Sequence, residues 1–98
     1  MQITPKEAAD IIKQLEIIHN LLEKVDNEKD CDEPLRLISL VINLLRHSNP
    51  SNFKRIKMVE LLVLNYITDC SDLNIWQLVQ GCNIINAIIE NIEDEFKL

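Results

Sequence analysis

The stretch Leu35-Arg36-Leu37-Ile38-Ser39-Leu40-Val41-Ile42-Asn43-Leu44-Leu45 decides the fold. On a helical wheel only Arg36, Ser39 and Asn43 are polar, and Arg46 extends the same narrow stripe. Every other side chain is aliphatic. A helix that is apolar on almost all sides must be wrapped on almost all sides. The sequence therefore predicts a central apolar helix over residues 34–47, started by Glu33-Pro34, where proline suits the first turn and biases its predecessor out of the helix. Leftover aliphatic surface on this helix, outside the polar stripe, would be the foremost interface candidate.

What wraps it must also be helical. With 1 glycine and 4% aromatic residues in 98, the chain has little material for hairpins or twisted sheets. Thr4-Pro5-Lys6-Glu7 forms a capping box with proline at the first helical position, predicting a first helix from Pro5 to about Val25. Ala8, Ile11, Leu15, Ile18, Leu22 and Val25 alternate steps of three and four, the seam of a helix packed lengthwise, with Ile12, Ile17 and Leu21 widening it. A third helix, about Phe53 to Asp69, is expected to bury Phe53, Ile56, Val59, Val63, Tyr66 or Ile67, and Cys70. A fourth, capped by Ser71, Asp72 or Asn74, runs to about Glu95 with Ile75, Leu78, Cys82, Ile85, Ile89, Ile92 and Phe96 inward. Gly81 interrupts this seam at a cost of ~1 kcal/mol relative to alanine, so either the helix breaks there or another backbone comes close. The expected fold is all-α, a compact up-down-up-down four-helix bundle forming one domain over residues 1–98.

Charge supports that order. Lys54, Arg55 and Lys57 sit at the positive end of their helix dipole, and Glu90, Glu93, Asp94 and Glu95 at the negative end of theirs. In an up-down-up-down bundle the two mismatched clusters lie at the same end and answer each other. Between the first two helices, Asp26-Asn27-Glu28-Lys29-Asp30-Cys31-Asp32-Glu33 reads as an exposed acidic loop. His47 is placed to meet the free carbonyls that end the central helix.

Motifs for chemistry are sparse. Glu16-Ile17-Ile18-His19 has the Glu-x-x-His spacing of di-iron bundles, but no second such pair exists, so no metal or other cofactor is expected. Asp26, Glu28 and Asp30 open like a calcium loop, yet its sixth position is Cys31 instead of glycine and its twelfth Leu37 instead of glutamate. The 3 cysteines show no metal-ligand spacing and read as reduced thiols. With His19 and His47 the only histidines, no nucleophile–base pair is evident, and no phosphate loop is present, so enzyme activity is not expected. No apolar run approaches the roughly 20 residues of a membrane span, and Met1 to Asp10 carries no secretory pattern, so a cytoplasmic protein is expected.

The net charge of -6 disfavours nucleic-acid binding and suits a basic protein partner. The candidate contact residues are Asp26, Glu28, Asp30, Asp32 and Glu33 in the loop, Glu90, Glu93, Asp94 and Glu95 near the C-terminus, and Trp76 as an aromatic anchor, although a tryptophan opening a helix also serves commonly as packing. In size, acidity and helical make-up the chain is similar to small bacterial immunity proteins, with no motif placing it in one family. That class resemblance implies a non-enzymatic, stoichiometric inhibitor that neutralises a basic, nucleic-acid-processing toxin by covering its active site. The alternatives are a self-associating scaffold or regulator, with a homodimer completing the surplus aliphatic surface, and a phage-encoded blocker of a host protein.

Overall fold

Thr4 begins the first helix as its spacing requires: its hydroxyl accepts from the Glu7 N–H at 3.1 Å, and its own N–H donates to the Glu7 carboxylate at 3.0 Å. The computed structural model describes residues 3–68 and 74–98. Among them are the helices α1 (Pro5–Glu23), α2 (Asp32–Leu45), α3 (Pro50–Thr68) and α4 (Ile75–Phe96), with a 3-10 turn at Glu28–Cys31 before α2 and no strands. α1 packs on α2, α2 on α3, α3 most extensively on α4, and α4 back on α1. The molecule measures 40 × 21 × 19 Å.

The predicted seams form the core. Ala8, Ile11, Leu15, Ile18, Leu22 and Val25 are buried, as are Ile56, Val59, Val63 and Tyr66 of α3 and Leu78, Ile85 and Ile92 of α4. Ile88, outside the predicted seam, is also fully buried. Ile17 and Ile75, both expected inside, are half exposed, because the seam of each helix covers a narrower arc than its apolar residues span. Cys70, Asp69, and the caps proposed at Ser71 and Asp72 lie outside the described residues. Asn74 precedes α4 with no side-chain cap bond.

α2 starts two residues before its expected proline, and the chain turns into α3 earlier than expected. Asn49 makes that turn: its side chain accepts from the Asn52 N–H at 3.1 Å and its carbonyl from the Phe53 N–H at 2.8 Å, while Pro50 fills the first helical position. Ser48, in place of His47, meets the end of α2, its hydroxyl donating to the Leu44 carbonyl at 3.0 Å.

The start of α3 does lie beside the end of α4, but asparagines join them. Asn49 Nδ2 donates to Glu95 Oε2 at 3.3 Å, and Asn52 Nδ2 to Asn91 Oδ1 at 3.0 Å. Arg55 donates to Asn52 Oδ1 at 2.8 Å, and Lys57 pairs with Glu60 on its own helix at 3.3 Å. The side chains nearest the junction are short amides, and a buried Asn52 is tolerated there because its carbonyl, amide and backbone N–H are all bonded.

α4 passes through Gly81 without a break. Gly81 is buried against side chains: a Cβ there would meet Val59 Cγ1 at 3.7 Å and Leu22 Cδ1 at 3.8 Å. The close approach is therefore one of packed side chains and not of another backbone.

Candidate functional site

The acidic segment builds itself from local bonds. The Asp26 N–H donates to Asp30 Oδ2 at 2.9 Å, the Lys29 N–H to Asn27 Oδ1 at 3.0 Å, and the Asp30 N–H to the Asn27 carbonyl at 3.1 Å. Cys31 is fully buried and ties the turn to the core, contrary to a loop with no apolar reason to fold inward. Asp26, Glu28, Asp30, Asp32 and Glu33 stay exposed around it. Asp32 and Glu33 occupy the first turn of α2, where the helix dipole favours negative charge, and Glu33 also pairs with Arg36.

The second acidic cluster is elsewhere. Glu95 is bonded to Asn49 beyond the C-terminus of α2, whereas the acidic turn precedes its N-terminus; the 14 residues of α2 separate them by about 21 Å. Glu90, Glu93, Asp94 and Glu95 thus belong to one end of the molecule and the acidic turn to the other.

Trp76 joins the turn's end. α4 runs from Ile75 to Phe96, so its first turn lies far from the Glu95–Asn49 contact. Trp76 is 52% exposed, and Ile75 and Val79 beside it are exposed to a similar degree. Ile75, Leu78 and Val79 line a groove of about 360 Å³ with Leu22, Val25 and Glu23 at the end of α1. Val25 leads directly into Asp26, so the apolar groove, the exposed Trp76 at the start of α4 and the carboxylate-bearing turn share one end of the bundle.

His19 and Cys82 sit along the same α1–α4 junction. His19 Nδ1 lies 3.1 Å from Glu23 Oε1 on its own helix, and its Nε2 lies 3.4 Å from Asn86 Nδ2 across on α4. Glu16 lines a neighbouring polar groove with His19, yet no group of three or more potential ligands is arranged to hold a metal among the described residues. Cys82 Sγ faces the His19 carbonyl at 3.9 Å and not its ring. Burial, and secondarily the charge of Glu23, pushes its thiol up to about 11, the reverse of what a nucleophile requires.

The central helix is less wrapped than its sequence demands. Leu37, Ile38, Val41, Ile42 and Leu45 are buried, but Leu40 is 46% and Leu44 47% exposed, outside the Arg36, Ser39, Asn43 and Arg46 stripe. Three helices pack against one another in a ring with α2, so each helix keeps an outward side and no helix is central. The stretch that predicts the fold thereby carries uncovered aliphatic surface.

A further surface went unread in the sequence. Met58, Leu61 and Leu64 project outward from α3, each about half exposed. Their spacing of three was legible beside the inward Ile56, Val59, Val63 seam as a second apolar period on the same helix. Comparison with known proteins finds no matching family model, no matching curated protein and no matching solved structure.

Proposed function

We propose that the chain is a non-enzymatic protein that binds one basic protein partner stoichiometrically through the end of the bundle that bears the acidic turn and Trp76. The observation that carries this reading is the pairing there of an exposed tryptophan, flanked by Ile75 and Val79, with a turn already held in shape by its own hydrogen bonds. Exposed aromatic anchors with a polar rim are where binding energy concentrates, and a prefolded turn loses little entropy on docking. Carboxylates steer a basic partner to this end and Trp76 inserts into it, covering the partner's working surface.

In this reading the protein acts in the cytoplasm in the manner of an immunity protein against a nucleic-acid-processing toxin. The helices form an up-down-up-down bundle whose rigidity presents the end as a unit. Glu90, Glu93, Asp94 and Glu95 contribute long-range attraction but no direct contact, since they stand at the other end. The raised Cys82 thiol, facing a carbonyl, supports a role without nucleophilic chemistry.

The test is a titration against a basic protein encoded beside this one. Asp26→Asn, Glu28→Gln and Asp30→Asn together are expected to slow association and weaken its salt dependence, and Trp76→Ala to speed dissociation. Unchanged affinity in both variants would reject the contact assignment. Self-association is the second reading: the uncovered Leu40 and Leu44 meet the criterion that ranked this surface foremost, but the patch is two leucines flanked by Asp10 and Lys13, with no aromatic anchor.

A further inference from the structure

Lys54 and Met58 stand one helical turn apart on the outward side of α3 and line two adjoining grooves. One, of about 300 Å³, runs between α3 and α4 and is walled by Arg55, Ile84 and Ala87. The other, of about 340 Å³, continues along α3 past Lys57 and Glu60 to Leu61 and Leu64. Met58, Leu61 and Leu64 are each about half exposed, so the grooves share an apolar floor and a rim that is basic at one end.

Charge runs one way along this face. Lys54, Arg55 and Lys57 gather toward Pro50, where α3 starts, whereas Leu61 to Thr68 carries no charged residue. α3 also packs against the 3-10 turn, whose Glu28 and Asp30 are exposed. The basic cluster is not answered from across the bundle. Arg55 donates to Asn52 and Lys57 meets Glu60 of its own helix at 3.3 Å. Lys54 forms no ion pair, and no carboxylate of α4 pairs with any of the three, among the described residues. In a chain of net charge -6 this is a local reversal of sign beside an uncovered apolar row.

We propose that this face docks an amphipathic helical segment of an acidic protein partner. Its apolar residues, at three-four spacing, seat on Met58, Leu61 and Leu64, and carboxylates gathered at one end meet Lys54, Arg55 and Lys57. Lys54 to Leu64 spans about 15 Å along α3, so the segment needs about three turns. The groove between Met58, Ile84 and Ala87 takes one of its apolar side chains. The direction in which it lies is set by charge, because carboxylates at the other end would approach the acidic turn. An anionic membrane is the poorer occupant: it meets the net charge of the whole molecule, whereas a helix with acids at one end meets only the basic end. The acidic turn and Trp76 line neither groove, so the inference stands independently of the proposed basic partner.

The experiment is fluorescence anisotropy with the whole chain and a labelled, side-chain-stapled helical peptide of about three turns, bearing leucines at three-four spacing and glutamates in its first turn. Two control peptides carry glutamine or lysine in place of glutamate. The glutamate peptide is expected to saturate at one per chain, the glutamine peptide to bind roughly tenfold more weakly, and the lysine peptide more weakly still. Lys54→Glu with Lys57→Glu, both on the exposed side, is expected to keep its helix content by circular dichroism and to invert that order. Leu61→Asn serves as the second variant and is expected to weaken all three peptides alike. Failure of the glutamate peptide to bind, or equal affinity for the three, would overturn the proposal. An order of preference unchanged in the folded double variant, or an affinity indifferent to Leu61→Asn, equally overturns it. So does adsorption of the chain to phosphatidylserine vesicles in place of the peptide.

Discussion

Gly81 sits in a continuous helix with a backbone conformation open to any residue, and the atoms a Cβ would meet are at ordinary van der Waals distance. Alanine there removes the excess backbone entropy of glycine and adds a methyl group to the core. Gly81→Ala is therefore expected to stabilise the fold by ~1 kcal/mol, raising Tm by about 4–8 °C for a domain of this size. A lower Tm would show that the Val59 and Leu22 side chains cannot accommodate the methyl. Asn52 is the opposite case, a buried polar residue whose bonds run to Asn91, Arg55 and Asn49. Asn52→Ala removes bonds to the exposed Asn91 and the half-buried Arg55, which water partly replaces, and chemical denaturation is expected to show a loss of about 0.5–1.5 kcal/mol per bond. In a double-mutant cycle Asn52→Ala and Asn91→Ala should couple, while each remains additive with a change on α2. Cys82 gives a pH signature. Its thiol is raised from 9.0 to about 11, so the stability it contributes is present below pH 9.0 and is lost as the pH climbs toward 11. Alkylation of Cys82 in the folded protein should accordingly lag an unfolded control throughout the neutral range; equal rates would contradict the burial assigned to it.

At the scale of elements, α1 was the most legible, because a capping box, a first-turn proline and a three-four seam all agree on one helix. The bonds from Thr4, backbone first and hydroxyl second, hold the Glu7 carboxyl below its ordinary range. The cap's contribution is thus present above the unfolded pKa of Glu7 and lost as pH falls through the lowered folded value. Thr4→Ala should cost about 0.5–2 kcal/mol at neutral pH, and Glu7→Gln should flatten the acid limb of the stability curve, both readable by urea denaturation across pH. α2 was legible as a helix but misread as central. Its composition records how many apolar residues it carries and not how many neighbours surround it, and in a ring of four helices each has only two. The acidic turn was legible as exposed charge; that Asp26, Asn27 and Asp30 close a 3-10 turn over a buried Cys31 was not, because those side chains serve equally well as solvated loop.

At the scale of the molecule, helix number and the bulk of the core followed from periodicity, whereas the grouping of the site residues did not. Nine acidic candidates can be counted in a sequence without revealing that α2 separates them into two clusters about 21 Å apart. Trp76 changes meaning with that separation: far from Glu95, and at the end of the bundle where α1 passes into the acidic turn, it is the anchor we propose for one contact surface. The start of α3 lies beside the end of α4 as opposed charge suggested, yet the two charged clusters are not what joins them: the bonds run from Asn49 to Glu95 and from Asn52 to Asn91, partners that no charge pattern specifies. The bundle offers separate surfaces, the acidic turn with the exposed Trp76 at one end and the outward row of Met58, Leu61 and Leu64 along α3.

Because Trp76 is the sole tryptophan and is half exposed, its own emission reports on the proposed contact. The most direct measurement is a fluorescence titration of the whole chain with a basic, nucleic-acid-processing protein as the proposed partner. Docking through Trp76 is expected to shift its emission to the blue, with saturation at one partner per chain and a weaker response when Asp26, Glu28 and Asp30 are neutralised. Saturable binding that leaves the Trp76 spectrum unmoved, and that is indifferent to those carboxylates, would contradict it.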